Sequence, residues 1–126
     1  MAAIAIPVFT SQLEKSREAT DLANIRDLYA EISVAMMVDG LDQDGATATV
    51  MNNKTATAAV SGTTITITVP SVAIAQTVNN WQTDSHDVAG VTVADFNPTS
   101  SMTVTFVFTV SDNNTNCTSI TVGAGA

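Results

Sequence analysis

Hydrophobic and polar positions alternate along this chain with two different periods, and the change between them falls at Asp39-Gly40. Before it, Leu22, Ile25, Tyr29, Ile32 and Met36 recur at steps of three and four, which places them on one stripe of a helix. The apolar run Ala2-Ala3-Ile4-Ala5-Ile6-Pro7-Val8-Phe9 leads into this segment without a break, so one helix is predicted over residues 1–40. Pro7 lacks an amide donor and clashes with the preceding turn, so it either begins that helix or kinks it. Gly40 is the predicted stop. Polar positions Glu14, Lys15, Arg17, Glu18, Asp21, Asp27 and Glu31 are expected on the solvent side, with Arg17 within reach of Asp21 one turn on.

After Gly40 the period becomes two. Asp42-Gln43-Asp44-Gly45 is a turn, and the Ala/Thr-rich residues 46–60 suggest a weak hairpin about Asn52-Asn53. Ile65, Ile67 and Val69 alternate with Thr64, Thr66 and Thr68, a half-buried strand that Pro70 should end. Ser71 is placed to cap a short helix carrying Ile74, Val78 and Trp81 inward. A loop over 83–89 and a short strand at Val91 and Val93 follow. Met102, Val104, Phe106, Phe108 and Val110 line one face of the strongest strand; residues 111–116 turn, and Ile120 and Val122 return. Cys117 falls in this alternation on the face of Ser119 and Thr121.

An antiparallel sheet with one apolar face needs a cover, and the opening helix is the long amphipathic element at hand. The fold class is therefore α+β: one long N-terminal helix, residues 1–40, packed on a sheet of about four strands in a head spanning residues 41–126, all one domain. In this arrangement Leu22, Ile25, Tyr29, Ile32 and Met36 pack helix on sheet, and the Met36-Met37 pair and Trp81 belong to the core.

Composition narrows the function classes. The 126 residues are 45% apolar and 13% charged, enough for one packed domain. With a net charge of -8 and three of four basic residues, Lys15, Arg17 and Arg26, on the helix beside acids, there is no basic surface for nucleic acid. A single cysteine excludes an intrachain disulfide. No apolar run reaches the roughly 18 residues that span a bilayer.

The chemical motifs are weak. Ser85-His86-Asp87 holds the three residue types of a hydrolytic triad, but adjacent residues do not readily set up the relay that distant segments normally assemble, so the chain is read as a non-enzyme without cofactors. Asp39, Asp42 and Asp44, and separately Asp112 and Asn114 with Asn113 and Asn116, offer oxygens of the kind calcium takes. The spacing fails the helix-loop-helix calcium pattern, and ordinary turn chemistry is the preferred account of both clusters.

The stretch from Ala2 to Phe9, followed by Gln12-Leu13-Glu14-Lys15-Ser16-Arg17-Glu18-Ala19 and then Leu22 and Ile25, resembles the N-terminal helix of type IV pilins and pseudopilins, particularly those of Gram-positive bacteria. The resemblance implies a pilin fold and an extracellular structural subunit that polymerises with copies of itself for adhesion or motility. It implies Ile4, Ile6, Val8 and Phe9 as filament-core contacts and Pro7 as the proline near which the helix bends on assembly. It also implies a precursor held in the cytoplasmic membrane and handled by pilus assembly machinery. The family's peptidase site and the apolar residues after it are not in this sequence, so the helix is expected to be the lower part of a longer one. Two alternatives stand beside the pilus subunit: a pseudopilin of a type II secretion system, for which calcium binding near the C-terminus would be expected, and a minor pilin acting as an adhesin.

Overall fold

A computed structural model describes residues 2–124 apart from 52, 82, 84 and 113, with side chains described from Leu13 to Gly123. Helix α1 occupies Ala2–Val38. Seven strands follow: β1 Thr47–Val50, β2 Lys54–Ser61, β3 Thr64–Ala73, β4 Asp87–Val88, β5 Val91–Thr92, β6 Ser101–Ser111 and β7 Asn114–Ala124. Five of them form an antiparallel sheet in the order β1-β2-β3-β6-β7, while β4 and β5 make a separate short pair. The expected α+β layout is present, with five strands where about four were predicted. The hairpin suggested for residues 46–60 is present as β1–β2, paired from Val50 opposite Lys54 to Thr47 opposite Thr57, and it accounts for the larger sheet.

One core lies between α1 and the inner face of the sheet. Leu22, Ile25, Leu28 and Ile32 of the helix meet Ile65, Ile67, Val69, Val104, Phe106 and Ile120 of the strands. Tyr29 bridges the layers, its ring 6.4 Å from that of Phe106 and stacked 6.1 Å from that of Phe108. Leu28 and Ala35 belong to the same buried face and were not part of the expected stripe.

At its C-terminal end α1 closes as anticipated. Gly40 takes a φ of 73°, which turns the chain back so that Leu41 N–H donates to the Ala35 carbonyl at 3.2 Å and the Leu41 side chain is buried. A Cβ at residue 40 would meet no neighbouring atom, so the cost of Gly40→Ala is the left-handed backbone alone. Urea unfolding of that variant should show a loss of about 1 kcal/mol.

Four local expectations are overturned. Strand β3 does not end at Pro70 but continues to Ala73 through a register shift between Val69 and Val72, with Ser71 at a φ of 62°. Pairing with β2 has stopped at Thr68, so Pro70 stands at a bulge on a free edge, where a missing amide donor costs little. No helix follows Ser71; Ile74 is buried in extended chain and Val78 is exposed. The β6–β7 turn is tighter than residues 111–116, since Ser111 pairs directly with Asn114. A second register shift in that hairpin sets Phe108 opposite Cys117, which carries Cys117 from the Ser119 and Thr121 face to the core face.

The Met36-Met37 pair also divides. Met36 packs against the core, whereas Met37 is 86% exposed because it lies half a turn away from the buried stripe.

Candidate functional site

The buried face of α1 is longer than its hydrocarbon. Glu14, Glu18, Asp21, Ile25, Leu28, Ile32 and Ala35 are all buried, and they follow one another at steps of four, three, four, three, four and three. Among the described side chains a single helical stripe therefore starts with three carboxylates and continues as aliphatic core. The expectation that Glu14, Glu18 and Asp21 face solvent is wrong; Lys15, Asp27 and Glu31 do so.

These carboxylates replace the helix that the sequence suggested after Ser71. Asp21 accepts hydrogen bonds from Ala75 N–H at 2.8 Å and Gln76 N–H at 2.9 Å, one on each oxygen. Glu14 accepts from Thr77 N–H and Val78 N–H at 3.2 Å each, and from the Thr77 hydroxyl at 3.0 Å. Glu18 accepts from Thr83 N–H at 2.9 Å. A segment without ladder or helix partners thus finds its acceptors in the side chains of α1, since buried amides are rarely left unpaired.

Burial pushes the Asp21 carboxyl above its ordinary value, and the neighbouring charges of Glu14 and Glu18 push the same way, against the two backbone hydrogen bonds that lower it. Arg17 pairs with Glu14 at 3.4 Å, not with Asp21, and also donates to the Thr77 hydroxyl. The half-exposed guanidinium therefore contributes little energy of its own.

The segment is closed on its far side by rings. Trp81 stacks on His86 at 4.9 Å and meets Phe96 edge-on at 5.7 Å, while its indole N–H donates to the Ala94 carbonyl. His86 Nδ1 stands 2.8 Å from the Val93 carbonyl oxygen and so carries a proton there, and Asp87 accepts from the Thr92 hydroxyl at 2.8 Å. His86 and Asp87 are thus held by β5 and its flank.

The acids considered for calcium lie in or beside turns. Asp44 accepts from Val60 N–H at 2.9 Å and ties the turn to β2, and Asp42 accepts from the Gln43 side chain. Asp39 follows the last turn of α1, Asp112 and Asn114 sit at the tip of the β6–β7 hairpin, and Asn113 lies outside the described residues. Among the described residues no three His, Cys, Asp or Glu come close enough to hold a metal ion. The Cys117 thiol is half-buried, bonded to the Ser119 carbonyl, and pushed up by desolvation, which lowers its reactivity.

Of the residues proposed for helix-to-sheet packing, Leu22, Ile25 and Ile32 are buried, and Tyr29 and Met36 pack partly covered against them. The side chains of Ile4, Ile6, Pro7, Val8 and Phe9, proposed for the filament core, lie outside the described residues. The helix that carries them is continuous with the packed half: Ala2 to Leu13 place roughly 18 Å of α1 ahead of Glu14, the first described side chain bonded to the head. Among the described residues no helix is long and apolar enough to cross a membrane. No family model, curated protein or solved structure matches this chain.

Proposed function

We propose that this chain is a type IV pilus subunit, with a pilin fold, that self-associates through the N-terminal half of α1 into an extracellular filament. The observation that carries the proposal is that α1, whose buried stripe is committed to the head from Glu14 onward, is one continuous helix that also includes the apolar residues from Ala2 to Phe9. An apolar helix end is suited to bundling with copies of itself, because that buries hydrocarbon without stranding backbone groups. Ile4, Ile6, Val8 and Phe9 make those contacts, Pro7 loosens the helix on assembly, and the precursor waits in the cytoplasmic membrane for the assembly machinery. The work of such a subunit is mechanical, with no reaction of its own.

Filaments sheared from cells that make the chain should contain it as their principal protein by mass spectrometry. Ile6→Asp combined with Val8→Asp should remove those filaments from electron micrographs and leave the melting temperature of the chain unchanged. A filament fraction without the chain sinks the proposal. Intact filaments beside a block in protein secretion would point to a pseudopilin.

A further inference from the structure

The face of the sheet turned away from α1 carries no charge. Across the five paired strands Lys54 is the single charged residue, and its register opposite Val50 places it on the inner side. The outer side is instead ruled by threonine. Thr47 pairs with Thr57, Thr57 with Thr68, Thr68 with Thr105 and Thr105 with Thr121, so one file of five threonines crosses the whole sheet. A parallel file runs Ser61, Thr64, Thr109, Asn116. None of these side chains is buried.

We infer that this outer face is a contact surface for a second copy of the same chain. Charge decides the occupant. Each copy carries a net charge of -8, and apart from Lys54 on the inner side of β2 its charged side chains lie on α1, on β4 and in the loops, so approach through those parts sets like charges together. The threonine face lets two copies meet without that repulsion, and depletion of charge is the compositional mark of an interface core.

Area supports a specific but weak contact. Five strands of 4, 8, 10, 11 and 11 residues, spaced about 4.8 Å apart and rising about 3.3 Å per residue, give a face of roughly 600 Å² per copy. Two copies then bury about 1,200 Å², the lower limit for specific interfaces, with methyls and hydroxyls but no aromatic anchor. The contact is distinct from the bundling of α1 and lies on the opposite side of the sheet, so it stands whether or not the chain builds filaments.

The full chain is tested by sedimentation equilibrium up to millimolar concentration, with amide-shift titration of the unaltered protein to locate the contact. Concentration-dependent association is expected, with the largest shifts at Thr57, Thr68 and Thr105. Thr68→Glu with Thr105→Glu should weaken it about tenfold or more, and so should Thr68→Lys with Thr105→Lys, although the second pair reduces the net charge. Ile6→Asp with Val8→Asp should leave it in place. A chain that remains monomeric throughout overturns the inference, and an uncharged polymer then becomes the candidate occupant. Association that is lost in the Ile6/Val8 variant and kept in both threonine variants overturns it equally.

Discussion

Phe106→Ala should destabilise the chain by about 4 kcal/mol, the largest loss expected from any single truncation in the core. Phe106 is fully buried, and its neighbours across the sheet are Ile67 of β3 and Ile120 of β7. From above, Tyr29 of α1 closes on the ring at 6.4 Å. The truncation therefore opens a void walled by three strands' worth of β-sheet and a helix, none of which can collapse without breaking ladder or helix hydrogen bonds. The lost aromatic contact adds a part of the total, on the order of 1 kcal/mol. Val107→Ala, one residue along and on the outer face, is the control and should cost no more than about 1 kcal/mol. Urea denaturation of both variants reads the difference. A loss below about 1.5 kcal/mol for Phe106→Ala would mean that α1 does not press on β6 as described.

Where periodicity is produced by burial on one side of a regular element, it could be followed in the sequence. The alternation from Met102 to Phe108 and the three-four spacing from Leu22 to Ile32 both predicted faces that are buried. Gly40 and the 42–45 turn were legible for the same local reason, a backbone that only certain residues suit. What failed was non-local. Ser71 looked like a helix cap because Ile74, Val78 and Trp81 are helically spaced, but spacing cannot reveal that acceptors on another element wait for the amides of residues 75–78. Cys117 was placed on the wrong side because one inserted residue in β7 shifts every position before it to the opposite face.

The carboxylate row was the one miss for which the sequence held a signal. Glu14, Glu18 and Asp21 continue the phase of Ile25, Leu28 and Ile32 without a slip, which is unexpected of residues chosen only for a wet surface. Acids in phase with a buried stripe indicate a partner rich in unpaired donors. The irregular segment that follows β3 is that partner. The head thus joins α1 in two chemically different ways, by hydrocarbon over the sheet and by carboxylate-to-amide bonds over residues 75–83.

Asp21 separates those two halves, and its replacement tests the second. Asp21→Ala leaves the amides of Ala75 and Gln76 without acceptors in a site where Asp21 itself is 1% exposed. Each stranded donor costs about 1–3 kcal/mol, so a loss of about 3 kcal/mol is expected once the release of an unfavourably buried charge is set against it. Amide exchange should report the change locally, with protection falling first over residues 75–78. The pH dependence carries a definite sign. Because burial holds the Asp21 carboxyl above the ordinary 3.8, the folded chain binds its proton more tightly than the unfolded chain does. Stability from this group therefore rises as pH falls from neutral through the raised value toward the ordinary one, and is lost again as pH rises through it. Asp21→Asn cannot titrate and should lack this component, while also presenting an amide donor where Gln76 N–H needs an acceptor. Melting curves of the two proteins across that interval decide the matter: parallel pH profiles would show that Asp21 does not carry the buried charge that ties residues 75 and 76 to the helix.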